Sequence, residues 1–250
     1  MKALDLPCLR DNLQRVREGI HRAAERSGRD GGSVELMAVT KTHPLATVRL
    51  AIEAGLELFG ENRVQEAELK YALLVSERSE PEQGLAAGQA AAFRLHLIGH
   101  LQRNKAKNAA ALFGCVQSID KPETAEALER ACASAGTTMD ILLELNTSGE
   151  ESKFGFESED ELRRCLPGLA ACEHLRLRGL MTVGPFTGDR ERIRQAFARL
   201  YRLYRRLEEE HQFADFDTVS MGMSGDYEIA VEEGATMVRL GTVLFGPRQP

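Results

Sequence analysis

The sequence predicts an α/β protein, a single (β/α)8 barrel of the TIM type with an extra N-terminal helix, spanning residues 1–250 as one domain. Three observations carry that expectation. Apolar runs of strand length alternate with longer helical patterns, which marks a parallel sheet with crossover helices. The runs number about eight, the count of a closed barrel. Small, polar and titratable residues gather just after the runs, where barrels place their chemistry. An open doubly wound sheet fits less well, because no Gly-x-Gly-x-x-Gly follows the first strand.

The elements follow in order. Leu9, Leu13, Val16, Ile20 and Ala23 recur at helical spacing, so residues 8–27 form an amphipathic helix that Ser27-Gly28 and Gly31-Gly32 break. Val34–Thr40 is a buried strand, and Pro44 opens a helix over Pro44–Ala54 that Gly55 closes. Leu56–Gly60 and Arg63–Ser76 are the second strand and helix, Phe93–Ile98 and Asn104–Phe113 the third pair. Cys115–Ile119 precedes a helix over Pro122–Ala135 closed by Gly136. Met139–Leu145 precedes Ser158–Ala171, where Pro167 is expected to end the helix early. Leu175–Val183 precedes the long helix Arg190–His211. Thr218–Gly222 precedes Asp226–Glu233, and Met237–Leu240 is the last strand. Little chain remains before Pro250 for a full outer helix, so the helix over 8–27 is expected to fill that gap. Glu77–Ala92, small, polar and Gly-containing, reads as a surface loop.

The composition narrows the function. The chain has 250 residues, 43% of them hydrophobic, and a formal charge of −6. Mild acidity gives no reason to expect nucleic acid, whose binders carry basic patches; Arg103-Asn104-Lys105-Ala106-Lys107 reads as a solvated helix face. Cys8, Cys115, Cys132, Cys165 and Cys172 are odd in number and match no zinc spacing, which suggests reduced thiols in the cytoplasm. Met1–Arg10 does not read as a secretory signal, and no apolar run reaches the length of a membrane span.

Lys41 stands at the C-terminal tip of the first strand. A lysine in a strand mouth loses its proton to desolvation, and the neutral amine attacks aldehydes; the plainer alternative is a solvated lysine at a strand end. The other strand ends offer Glu61 and Asn62, His96 and His100, Ser118 and Asp120, Asn146, Thr182, Ser220 with Met223 and Ser224, and Arg239 with Gly241 and Thr242. After the last two strands, glycines let backbone amides approach an anion and hydroxyls add donors, as in the phosphate sites of many barrels. His96 and His100 lie on a strand running into a loop, without the helical His-Glu-x-x-His pattern, and read as structural or cofactor-adjacent rather than zinc ligands.

The chain resembles the pyridoxal 5′-phosphate homeostasis protein family. The resemblance rests on MAVTKTHP at Met37–Pro44, FGENRVQE at Phe59–Glu66, HLIGHLQRNK at His96–Lys105, LNTSGEESKFGF at Leu145–Phe156, LRGLMTVGP at Leu177–Pro185 and SMGMSGDYEIAVEEGATMVRLGTVLFG at Ser220–Gly246. It implies a barrel like the N-terminal domain of alanine racemase, with pyridoxal 5′-phosphate held by Lys41 as a covalent aldimine. By the same resemblance Ser220, Gly241 and Thr242 hold the phosphate, Arg239 faces the pyridine nitrogen, and Asn62 and Lys153 lie near the cofactor. Three features depart from the family pattern: a longer Glu77–Ala92 loop, Leu95 where an aromatic residue often stands, and Gly225 in place of an acidic residue.

An arginine against the pyridine nitrogen disfavours its protonation, and an unprotonated ring is a poorer electron sink. Alanine racemase takes its second base, a tyrosine, from a further β domain, which is not expected here. The expectation is therefore a cytoplasmic, monomeric, non-catalytic protein of cofactor homeostasis. Its partners are pyridoxal 5′-phosphate and the apo-enzymes that use it, with no nucleic acid and no membrane. A weakly active amino-acid racemase or decarboxylase using the cofactor is the alternative, and a cofactor-free aldolase with Lys41 as nucleophile is a third.

Overall fold

The structure is a computed structural model that describes residues 4–76, 93–150, 152–210, 213 and 215–247. The apolar runs form eight strands: β1 Glu35–Val39, β2 Leu58–Glu61, β3 Arg94–Leu97, β4 Cys115–Ile119, β5 Met139–Glu144, β6 Leu175–Met181, β7 Thr218–Ser220 and β8 Met237–Leu240. They pair in parallel in sequence order, and β8 closes on β1. Period-two alternation divides each strand between two environments. Ala38, Phe59, Leu95, Val116, Ile141, Leu143, Leu180, Val219 and Val238 join the main core beneath the helices. Met37, Leu58 and Met237 form one small apolar cluster, and Cys115, Leu142 and Met181 another.

The helices are α1 Leu6–Arg26, α2 Leu45–Glu53, α3 Val64–Ser76, α4 Ala106–Leu112, α5 Pro122–Ala135, α6 Glu159–Ala170, α7 Arg190–Glu210, α8 Tyr227–Glu232 and α9 Thr242–Phe245. Asp5 caps α1 by accepting from the Cys8 amide at 2.9 Å. The stripe Leu9, Leu13, Val16 and Ile20 is buried, each side chain contributing about 1.5–3 kcal/mol of transfer free energy. As expected, α1 covers the gap left by the single turn α9. Its Asn12 donates to the Leu244 carbonyl at 2.7 Å, and Arg26 pairs with Glu228 at 3.0 Å and Glu232 at 2.7 Å.

Two expectations need correction. Pro167 does not end its helix early: α6 runs on to Ala170. The proline is exposed in the last turns, where few internal bonds are lost, and buried Leu169 anchors the turn beyond it. The seventh strand stops at Ser220, and Gly222, at φ +94°, turns the chain away. The Glu77–Ala92 segment lies outside the described residues.

At Gly179 the backbones of β6 and β7 approach closely. The β5–β6 register slips so that Arg178 is passed over between Leu177 and Gly179. Gly179 then meets Thr218 so closely that a Cβ on it would lie 1.8 Å from the Thr218 carbonyl oxygen. Gly179→Ala is expected to destabilise the fold by about 3 kcal/mol, at the upper end of overpacking costs. Urea unfolding of the two proteins measures it, and equal midpoints would contradict the contact.

Candidate functional site

At the C-terminal rim, β1 ends and the chain turns through Lys41. The turn is closed by the His43 amide donating to the Thr40 carbonyl at 3.0 Å. Thr42 sits at φ +66°, one of two described non-glycine residues with positive φ, at a cost of about 1–2 kcal/mol for an L-residue. Lys41 faces a cavity of about 190 Å³ walled by Val39, His43, Ile98, Met223, Ser224, Gly225, Arg239, Gly241 and Thr242. Gly241 eases this approach of β8 to β1, since a Cβ there would stand a tight 3.2 Å from the Val39 carbonyl oxygen. The Gly241 and Val243 amides converge on the Ser224 hydroxyl, each at 3.3 Å. The cavity thus presents an amine, a cation and a cluster of hydroxyls and backbone amides, a set able to hold an anion while offering a nucleophile to an electrophilic carbon.

Arg239 is 4% exposed and stands at the head of a hydrogen-bond chain through the barrel. It donates to the Ser220 hydroxyl at 2.7 Å and to the Thr182 carbonyl at 2.7 Å. Ser220 donates onward to Gln117 Oε1 at 2.7 Å, and Gln117 Nε2 lies 3.0 Å from His96 Nδ1. The guanidinium can only donate, so every later group has its role assigned. Gln117 must offer its amide N–H to His96, which therefore accepts on Nδ1 and carries its proton on Nε2. Burial, with Arg94 nearby, lowers the His96 pKa to about 3, so it stays neutral.

Burial lowers the Arg239 pKa to about 10 against the opposing pull of Glu144 and Asp226, which leaves the side chain charged at neutral pH. Glu144, 5% exposed at the end of β5, is pushed up to about 7 by burial, with Arg239 opposing and Asp120 adding to the rise. Asp226 is also raised by burial, and accepts from the Met223 amide.

Of the residues singled out in the sequence, Lys41, Arg239, Gly241 and Thr242 wall one cavity. Ser220 does not: it is fully buried, and its hydroxyl is engaged by Arg239 and Gln117. Strand alternation turns it to the barrel axis below the rim, and Ser224 takes the place at the cavity wall. Asn62 lies at the end of β2, packed against Gly99, outside that wall. Lys153 borders a separate hollow with His100 and Asn146, and donates to the Gly184 carbonyl at 2.7 Å and to Glu150 at 3.0 Å. His100 binds Asp120 at 3.0 Å, and no cluster of metal-ligating side chains occurs among the described residues. A hollow of about 420 Å³ at the opposite mouth is bordered by Arg94 and Arg178, whose charges are met by Glu35, Asp140 and Asp217. Gln117 and Glu144 carried only a faint signal in the sequence, as polar residues inside otherwise apolar strands.

The chain matches the family model of the alanine racemase N-terminal domain over residues 5–249. It is 40% identical to the pyridoxal phosphate homeostasis protein of Pseudomonas aeruginosa over 95% of each chain, and 36% identical to that of Aquifex aeolicus over 96% of this chain and 98% of the relative. The structure of PipY from Synechococcus elongatus, solved with PLP bound, superposes with a TM-score of 0.79 at 32% identity, covering 95% of this chain and all of PipY.

The titration of Glu144 makes stability depend on pH. Its folded pKa, about 7, lies above the ordinary value of 4.5, so between those values the folded state keeps a proton that the unfolded state has lost. Stability then falls as pH rises through this window, by about 3 kcal/mol at most, and the loss is complete above pH 7. Glu144→Gln is expected to remove this component. Urea unfolding at pH 5 and pH 8 tests it: wild type should lose more stability between the two than the variant.

Proposed function

Because the chain belongs to the alanine racemase N-terminal domain family, and within it stands among the pyridoxal phosphate homeostasis proteins, we propose that its rim cavity holds one pyridoxal 5′-phosphate bound covalently through Lys41. On this reading the protein stores and releases the cofactor rather than turning over amino acids. The observation that carries it is the convergence of Lys41, Arg239, Ser224, Gly241 and Thr242 on one small cavity. The PLP-bound structure of PipY and the names of the relatives support the same reading.

Each wall has a task that its chemistry suits. Lys41 would offer its amine to the aldehyde carbon, with the aldehyde oxygen leaving as water. Ser224, Gly241 and Thr242 supply donors for the phosphate. Arg239, charged at neutral pH, would face the ring nitrogen and oppose its protonation, which withholds the electron sink that amino-acid chemistry requires. Ser220 acts one step back, by holding Arg239. Asn62, after β2, and Lys153, at the separate hollow beyond β5, stand outside the cavity wall and are assigned no contact with the cofactor.

The partners on this reading are the cofactor and the apo-enzymes that take it, met by a monomer in the cytoplasm. No helix among the described residues is long and apolar enough to cross a membrane.

Borohydride reduction of the loaded protein followed by peptide mapping is expected to place the pyridoxyl mass on Lys41. Label on Lys105 or Lys153 instead would overturn the assignment.

Thr242→Val removes a donor with little change of shape, and Ser224→Ala does the same on the facing loop. Each is expected to weaken pyridoxal 5′-phosphate about tenfold, the value of one hydrogen bond to a charged group. Unphosphorylated pyridoxal should be affected far less. Titration of both ligands decides it, and equal losses would remove the phosphate from these loops.

A further inference from the structure

The two peptide groups that flank Lys41 are both held by one helix. Lys70 on α3 donates from Nζ to the Thr40 carbonyl at 2.8 Å, which fixes the peptide entering Lys41. Glu66, one turn earlier on the same helix, accepts from the Thr42 amide, which fixes the peptide leaving it. The two side chains also pair with each other at 3.1 Å, so the grip is closed on itself.

A second tier locks the grip. Lys70 pairs with Glu61 at the end of β2 at 2.8 Å. The Thr40 hydroxyl donates to Glu61 at 2.7 Å and lies 2.7 Å from the Tyr71 hydroxyl. Thr40, Glu61 and Tyr71 are all completely buried, and Lys70 nearly so. This cluster faces the helices, whereas the cavity lies on the other face of β1. Its members are not among those that wall the cavity. A buried lysine and two carboxyl groups could be replaced by apolar packing at little cost to stability. Here two of their bonds reach the backbone, at the Thr40 carbonyl and the Thr42 amide on either side of Lys41, and the remaining bonds tie the side chains to one another. The positive φ of Thr42 belongs to the same grip, because the Thr42 amide is the one that Glu66 holds.

We propose that Glu66 and Lys70, braced by Glu61, Thr40 and Tyr71, are positioning residues that hold the peptides on either side of Lys41 and so aim its amine into the cavity. The inference rests on Lys41 being the residue that bonds the cofactor. With its backbone fixed, the amine searches fewer directions before it meets the aldehyde carbon, and condensation with loss of water is faster for that reason.

The test begins with wild-type protein stripped of cofactor and reloaded, then reduced with borohydride and mapped. Label elsewhere than Lys41 at this step defeats the cofactor reading itself, before any variant is made. Given label on Lys41, stopped-flow absorbance follows imine formation, and a separate titration measures pyridoxine 5′-phosphate, an alcohol that binds without condensing. Glu66→Ala should slow imine formation about tenfold, as expected for loss of a charged hydrogen bond, and leave the alcohol's affinity unchanged. Glu66→Gln keeps an acceptor oxygen and should restore most of the rate. The side chain of Glu66 is 27% exposed, so its truncation opens no deep cavity. The double variant Glu61→Gln with Lys70→Met removes the buried pair, leaves the partly exposed Glu66 with its bond from the Thr42 amide, and should slow the step similarly. An unchanged rate in Glu66→Ala, or equal damage to both ligands, would overturn the proposal. Amide exchange in unmodified protein gives a reading free of any variant: the Thr42 amide should be strongly protected, and rapid exchange would count against the grip.

Discussion

Arg239 is a cation removed from water inside a ring of eight strands, and a charge in that position must be answered by oriented dipoles and carboxyl groups. The Thr182 carbonyl, the Ser220 hydroxyl, Glu144 and Asp226 supply the answer. Because a guanidinium cannot accept, its bonds run one way through Ser220 and Gln117 to His96 and settle the tautomer of a histidine at the far end. The upward shift of Glu144 and the neutrality of His96 belong to the same interior, where burial disfavours every charge but the one that the surrounding dipoles support. The floor of the rim cavity is thus electrostatically fixed before any ligand arrives.

Lys41 lies at the boundary between two polar clusters. Inside the barrel is the Arg239 chain; on the other side of β1, under α3, is the cluster of Thr40, Glu61, Glu66, Lys70 and Tyr71. Strand alternation explains the division. Thr40 turns toward the helix layer while its neighbours Val39 and Lys41 turn to the cavity. One cluster determines what the cavity offers a ring and a phosphate, and the other determines where the reacting amine stands. The two share no side chain.

Among the described residues after β8, the single turn α9 starts at Thr242 and so contributes to the cavity wall. The outer surface that a longer helix would have covered is taken by α1, tied to the end of the chain by Asn12 and to α8 by Arg26.

The sequence by itself determined the barrel, because burial on both faces makes each strand a short apolar run, and crossover helices impose their own period between them. It also determined which stretches reach the rim, since glycines, hydroxyls and Lys41 follow directly on those runs. The family was legible from six motifs spread over most of the chain. Distances between side chains from different strands were not legible. Ser220 and Ser224 look alike as serines after β7, and only strand alternation and the turn at Gly222 put one on the axis and the other on the cavity wall. Glu144, Gln117, Glu66 and Lys70 are ordinary polar residues in a one-dimensional reading. They acquire roles only where residues far apart in sequence come within hydrogen-bonding distance, as Gln117 and Ser220 do across 103 positions. Such contacts depend on barrel closure and register, which bring together groups that local propensity cannot relate.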